Sequence, residues 1–294
     1  MVKILYGVQG TGNGHIARAR MMAAAFKRYG LQTHFLFSGR PKEAYFDMAC
    51  FEPFEVYNGL TFHSTHGKVS YFKTLQQTQF IRFIEAIRQL DLSDYDLVIS
   101  DFEPISAWAA KRQGKTTLAI GNQYAYRYNI PRKGSDPLAE WILRYFAPAQ
   151  YTLALHWHHF GHAILPPIIP PMMRSDHRIA NKIVVYLPFE DNQDVIEMLA
   201  PFDSFEFYLS STSPGDCHFP HIHYIPMSCE HFQQALSDSC GVICNAGFAI
   251  VSEALQLGKK ILVKPLHAQM EQTSNALALH QLGYAQVMES LDQL

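Results

Sequence analysis

The 294-residue chain contains no run approaching the roughly 20 apolar residues that a membrane-spanning helix needs. Charge is scarce and nearly balanced: 17% of residues are charged and the formal net charge is −2. No basic stripe marks a nucleic-acid partner. Cysteine is sparse too, with five residues (Cys50, Cys217, Cys229, Cys240, Cys244), no CxxC pair and an odd count. That pattern argues against a disulfide framework and points to a reducing cytoplasm, with peripheral contact at the inner face of a membrane left open. No charged-then-apolar signal segment precedes the first apolar stretch. Internal repeats, low-complexity tracts and long charge runs are absent as well. What remains is a composition, 48% hydrophobic, that suits a globular protein able to bury two ordinary cores.

The order of apolar runs and turns predicts an α/β protein. Val2 to Val8 reads as a buried strand, Ile16 to Arg28 as a helix stopped by Gly30, and Thr33 to Phe37 as the next strand. This βαβ opening implies a parallel sheet covered by helices. Helices are expected over 72–90, 105–112 and 137–146, with strands over 96–100, 116–120 and 151–157. Between Leu165 and Pro171 stand four prolines in six residues, a stretch that no helix or central strand tolerates. It sets the expected boundary: a first domain over 1–165, a linker over 166–177 and a second domain over 178–294. The second half alternates in the same way, through strands at 182–187, 205–210, 223–225, 241–244 and 261–263. Its end, from Met288 to Leu294, looks helical and short, as though a final element were truncated.

Two turns carry the candidate chemistry. The first, Gly10-Thr11-Gly12-Asn13-Gly14-His15, joins the first strand to its helix. As a dinucleotide fingerprint it lacks a glycine in the sixth place, although Ser38-Gly39-Arg40 at the end of the second strand could suit an NADP 2′-phosphate. In its other reading, Gly12, Asn13 and Gly14 let a ligand approach the backbone while His15 stands at the helix mouth. The second turn is Asn245-Ala246-Gly247-Phe248, between a buried strand and a helix, expected over Ile250 to Leu257 and stopped by Gly258, that carries Glu253. Backbone N–H groups and the positive helix end there suit a diphosphate, and Glu253 suits the hydroxyls of a ribose. Two such domains facing each other across a cleft would build one site between them.

With these residues in view, the chain resembles the GT-B glycosyltransferases, in the branch that holds the family 28 enzymes of the MurG type and the UDP-glycosyltransferases. Its likeness is greatest to a bacterial and archaeal glycosyltransferase-like group. Three stretches carry the resemblance: the Gly10 to His15 loop, Asn245-Ala246-Gly247 with Ser252-Glu253-Ala254, and Gly258 to Pro265 continued through Glu271-Gln272 and Asn275-Ala276. The resemblance implies two Rossmann-like domains and an inverting, metal-independent transfer of a sugar from a nucleotide sugar, with UDP as the expected nucleotide, onto an acceptor hydroxyl. It implies His15 as general base and Asp101 as the carboxylate that orients it. Asn245, Ala246, Gly247 and Phe248 would hold the diphosphate, Glu253 the ribose, and Gln269, Glu271 and Gln272 the donor sugar, with Gly12, Asn13 and Gly14 also counted among the donor-binding residues. Ile225 and Met227 would flank the base. No cofactor and no metal are implied, in keeping with the lack of a DxD-type acidic pair at a strand end; the acceptor (glycan, lipid or small molecule) is not implied either.

Other readings stay open beside this one. Asp101 could be only a turn residue or the N-cap of the helix after it. A UDP-sugar epimerase would share the architecture, and an NADP-dependent oxidoreductase or a nucleotide-sugar-binding protein without catalysis would use parts of it. The cluster His156, His158, His159 and His162 lacks paired metal-ligand spacing and is expected to pack at a hinge or surface.

Overall fold

The computed structural model describes residues 2–59, 63–65, 68–70, 77–134, 137–171, 175, 177–211, 218–226, 228–267 and 269–293. Its contacts divide into two compact units, Met1–His63 with Ser70–Ile130 and Ser135–Pro170, and Ser64–Val69 with Pro131–Gly134 and Pro171–Leu294.

In the first unit, β1 (Lys3–Gln9), α1 (Asn13–Arg28), β2 (Gln32–Ser38) and β3 (Phe54–Tyr57) follow in order. The chain then passes through a separate two-stranded pair, β4 (His63–Thr65) and β5 (Lys68–Ser70), of which Ser64–Val69 belong to the second unit, before it reaches α2 (Gln77–Gln89). Then come β6 (Leu97–Asp101), α3 (Pro104–Gln113), β7 (Thr117–Gly121), α4 (Pro137–Tyr145), β8 (Tyr151–Leu155) and β9 (Ile164–Leu165). The main sheet has the order β3-β2-β1-β6-β7-β8-β9 and every pairing in it is parallel. Buried runs explain this: β1 is buried from Ile4 to Gln9, the pattern of a strand covered on both faces. The chain winds outward from β1 in both directions, so the strand order reverses between β1 and β6. A doubly wound sheet opens a crevice beyond the carboxyl ends of its strands at such a reversal.

The second unit repeats the plan with β10 (Lys182–Tyr186), α5 (Asn192–Leu199), β11 (Glu206–Ser210), β12 (Ile222–Ile225), α6 (Cys229–Asp238), β13 (Gly241–Asn245), α7 (Phe248–Gln256), β14 (Lys260–Lys264), α8 (Met270–Gln281) and β15 (Gln286–Val287). Its order is β12-β11-β10-β13-β14-β15, again all parallel. Here the reversal lies between β10 and β13.

Three local expectations need correction. α1 begins at Asn13, not Ile16, so His15 stands inside its first turn. α7 begins at Phe248 rather than Ile250, because Gly247 already serves as its N-cap with an ordinary extended backbone. The end of the chain is not a helix: Gln286–Val287 adds a sixth parallel strand beside β14, and Leu291–Gln293 is a single 3-10 turn. Met288 is buried in the same apolar cluster as Leu209 and Ile243, and its burial favours a chain end that runs along the sheet. Residues 72–76 of the expected second helix lie outside the described residues. Among the described residues no helix is long and apolar enough to cross a membrane.

Candidate active site

Each sheet places its predicted residues at its own reversal point. In the first unit β1 ends at Gln9, the glycine turn follows, and α1 carries His15. The neighbouring strand β6 ends at Asp101, level with Val8 of β1. Phe102, with φ of 53, then turns the chain in a left-handed conformation that is rare for a bulky residue. This turn points Asp101 back toward α1 and leaves the next acid to cap α3. Glu103, not Asp101, is that cap: its carboxylate accepts from the N–H groups of Ile105 (2.8 Å) and Ser106 (2.7 Å), ahead of Pro104 in the first helical position. Asp101 is thereby free for another task.

Its partners define that task. His15 Nδ1 lies 2.7 Å from Asp101 Oδ1. Arg18, one turn further along α1, donates from Nε to Oδ2 at 2.6 Å and from Nη2 to Oδ1. The Tyr6 hydroxyl donates to Oδ2 at 3.1 Å. Four donors thus fill the acceptor positions of a carboxylate that is completely buried. Burial alone would raise its pKa, but the Arg18 guanidinium and His15 outweigh that and hold it down at about 2. The imidazole is the least buried member, with its side chain 15% exposed. Since Nδ1 faces the carboxylate, the tautomer with its proton on Nδ1 leaves Nε2 as a lone-pair base.

The glycine turn is open above this pair. A Cβ at Gly10 would strike the Tyr45 hydroxyl at 2.1 Å, so that glycine is needed for packing. A Cβ at Gly12 would meet only His15 Cδ2, at 3.9 Å, and Gly12 has an ordinary extended backbone. Neither the fold nor the backbone demands a glycine there, which leaves room over the start of α1. Asn13 Oδ1 accepts from Arg40 Nη2 (3.1 Å), and the Arg40 guanidinium lies 4.5 Å from the Tyr45 ring centroid. Ser38 donates to Glu103 at 2.7 Å. The groups that a 2′-phosphate reading of Ser38-Gly39-Arg40 relies on are therefore engaged within the unit.

In the second unit β13 ends at Asn245 and α7 starts at Phe248, so Ala246 and Gly247 form the whole turn. Helix α7 has no side-chain cap and no acid in its first turn, and a Cβ at Gly247 would make only an ordinary contact with Ile250 at 3.6 Å. The Gly247 N–H turns back to the Asn245 carbonyl at 2.7 Å, and the positive end of α7 faces no acid of its own first turn. Glu253 sits further along α7, 8% exposed, and its carboxylate has no hydrogen-bond partner among the described residues. Burial pushes its pKa up to about 7. Such a lone buried acid is costly unless something completes it.

Helix α8 supports the turn. Asn275 Nδ2 donates to the Ala246 carbonyl at 2.9 Å, and Gln272 Oε1 accepts from the Leu266 N–H at 3.1 Å. Gln272 is thus buried as a brace for the loop after β14, while Glu271, in the first turn of α8, and Gln269, its N-cap, are partly exposed. Ile225 ends β12 and is partly exposed; Met227 lies outside the described residues. The structure also joins three residues that the sequence reading passed over or used otherwise. Lys264 Nζ, at the end of β14, meets Glu190 Oε1 at 2.8 Å, and Asn245 Nδ2 approaches the same oxygen at 3.4 Å. Glu190 lies in the loop after β10, so this buried ion pair stands at the reversal point of the second sheet.

The family model described as glycosyl transferase family 1 matches residues 2–294. The chain belongs to this family. Solved structures of similar fold include MurG of Acinetobacter baumannii, with a TM-score of 0.62 at 16% identity over 100% of this chain and 87% of that one. UGT2 of Phytolacca americana, solved with UDP-2fluoro-glucose and pterostilbene, gives 0.68 at 12% identity over 99% and 86%. VinC, a glycosyltransferase in complex with dTDP, gives 0.58 at 14% identity over 100% and 88%. At such identities the likeness speaks for the fold, which is GT-B. Curated protein sequences gave no match.

Within this glycosyltransferase the sequence reading missed Arg18, although its signal was present. His15-Ile16-Ala17-Arg18 puts the arginine one helical turn beyond the histidine, on the same face. Glu190 and Lys264 had no such signal, being 74 residues apart. The histidine cluster forms a packed loop: His156 is edge-on to Trp157, burial and then the neighbouring His158 hold its pKa down at about 4, and His162 stacks on Tyr128. His158 and His159 accept from the N–H groups of Phe160 and Gly161 through Nδ1. Among the described residues, no three His, Cys, Asp or Glu side chains gather as a metal-holding group.

Proposed function

We propose that the protein transfers a sugar from a nucleoside diphosphate sugar, with UDP the favoured nucleotide, onto an acceptor hydroxyl, inverting the anomeric configuration without a metal ion. The observation that carries this reading is the 2.7 Å contact between His15 Nδ1 and the buried Asp101 at the end of β6. It leaves a held, partly exposed imidazole with Nε2 turned to chemistry. In the proposed step, His15 Nε2 takes the acceptor O–H proton as that oxygen attacks the anomeric carbon. The new C–O bond forms while the bond from that carbon to the diphosphate oxygen breaks, and the nucleoside diphosphate leaves with the electron pair. A single displacement inverts configuration.

The turn Asn245-Ala246-Gly247-Phe248 would seat the leaving diphosphate, with the α7 dipole and the N–H groups of the first turn of α7 receiving its charge. Glu253 would accept the ribose hydroxyls, which supplies the partner its carboxylate lacks. Gln269 and Glu271 would face the donor sugar, with Gln272 acting through the loop it braces. On α4, Leu138, Trp141 and Tyr145 are exposed, which supports an apolar acceptor or a membrane face as the neighbour of the first unit.

A thermal-shift panel with UDP, dTDP, UDP-sugars and NADPH, run with a chelator, tests the donor and the metal together, since a ligand that binds the native state raises its melting temperature by mass action. UDP and one UDP-sugar should stabilise the protein in the chelator. Product configuration, read by NMR after turnover with hydroxyl acceptors, tests inversion. Retained configuration, or conversion of the UDP-sugar to its epimer without an acceptor, would overturn the reading.

A further inference from the structure

The contacts of Arg18 reach beyond packing. Its guanidinium grips both oxygens of Asp101, and its Nη2 lies 3.1 Å from His15 Nδ1. One ring nitrogen cannot donate to Asp101 and accept from Arg18 at once. The shorter distance, 2.7 Å against 3.1 Å, gives Nδ1–H to the carboxylate. The arginine contact then acts on His15 through charge, and it opposes a second positive charge on the ring.

A census of the groups around this point shows that charge is nearly all that varies. From β1 comes Tyr6, and from the turn after β7 comes Tyr124, both buried phenols whose pKa values burial raises well above normal. Both are uncharged at neutral pH. Arg127 lies behind Tyr124, over its ring at 5.1 Å, and Arg40 donates to Asn13 in the glycine turn. From β6 comes Asp101 and from α1 comes Arg18, 0% and 4% exposed. Among the described residues, the ionised groups that touch His15 are one carboxylate and one guanidinium, and their charges cancel.

We propose that Arg18 is the positioning residue of the His15 base: it balances the charge of Asp101 while leaving that carboxylate an oxygen to orient the ring, so His15 is held in place with no net charge beside it. An aspartate without this partner would orient the histidine equally well but would favour the imidazolium, which cannot accept a proton. The proposal rests on the reading of His15 as base, but its test does not depend on turnover.

The test is an NMR titration of the His15 ring signals in the full-length, ligand-free protein, assigned by their loss in His15→Ala. Arg18→Gln should move the His15 midpoint up by about one pH unit, the size expected when a neighbouring charge is left uncompensated. Arg18→Lys, which keeps the charge without the two-point grip, should leave the midpoint within a few tenths of a unit. Asp101→Asn should move it down by about one unit, because the arginine then acts alone. An unmoved midpoint in Arg18→Gln overturns the proposal. Should that variant fail to fold, an unmoved midpoint in Asp101→Asn overturns it equally. If His15→Ala retains full turnover, the base reading falls by itself, and these midpoints still report what Arg18 does to the ring.

Discussion

Arg18 and Asp101 meet in a buried two-point ion pair that joins the first helix to the fourth strand of the main sheet's chain order, 83 residues apart. Buried pairs of this kind add little net stability, but breaking one by removing a single partner leaves an uncompensated charge. Asp101→Ala should therefore destabilise the protein by about 3–5 kcal/mol. Replacing both residues by apolar side chains of similar volume, Arg18→Met with Asp101→Leu, should recover most of that loss. Urea unfolding of the two variants checks the difference; equal destabilisation would mean that the pair does more for the fold than charge balance.

His15 tests the chemistry. It is 15% exposed, its Nδ1 is held, and it caps nothing. His15→Ala should lower turnover by about 10²–10⁴-fold, the range for loss of a positioned base. Calorimetric affinity for UDP should stay within about twofold, because diphosphate and ribose are assigned to the other unit. A variant that transfers sugar at the parental rate would remove His15 from the mechanism.

Glu253 ties stability to pH in the direction opposite to most carboxylates. Its pKa is raised from 4.5 to about 7 by burial. The native state then holds a proton that the unfolded chain releases near 4.5. Stability is full below that pH and falls as pH rises toward 7. Above pH 7 the ionised, buried group costs about 3 kcal/mol, from the size of the shift. Glu253→Gln should accordingly raise the melting temperature at pH 8 and leave it nearly unchanged at pH 4.5. The same variant should bind UDP more weakly. A variant that is more stable yet poorer at binding is the mark of a group retained for a ligand. Thermal scans at the two pH values, with and without UDP, separate these effects.

Much of this was legible in the chain before the fold was known. Period and punctuation placed ten of the fifteen described strands, because strands buried on both faces are short apolar runs and the turns between them need glycine or proline; β3, β4, β5, β9 and β15 were not placed. The two turns at Gly12 and Gly247 were readable for the same reason. The starts of α1 and α7 were placed two or three residues late, since glycine and asparagine do not announce a helix that their neighbours nonetheless impose. The short final strand was invisible: two residues, Gln286 and Val287, carry no periodicity, and only the free edge of β14 makes them a strand. The functional environment was harder to see than the functional residues. Asp101 could be a cap or an orienter until Glu103 was found to be the cap. The partners that set its charge, and the Glu190–Lys264 pair, come together only through the sheet order.

The brace behind the second turn offers the last expectation. Asn275 is 1% exposed and spends Nδ2 on the Ala246 carbonyl, 2.9 Å away, in a turn of only two residues between β13 and α7. Asn275→Ala removes that donor and leaves a buried carbonyl unpaired, a loss of about 1–3 kcal/mol. The consequence should not stop at stability. Ala246 leads directly into Gly247, the N-cap of α7, so the direction of the first N–H groups depends on how the turn is held. Those groups are assigned to the diphosphate, and a small displacement weakens hydrogen bonds steeply. The affinity for UDP should fall by about tenfold, one hydrogen bond's worth of alignment, while uridine, which lacks the diphosphate, should bind as well as before. Calorimetry with the two ligands makes the comparison. Equal loss for both would place the diphosphate elsewhere, and no loss for either would make Asn275 a brace for the fold alone.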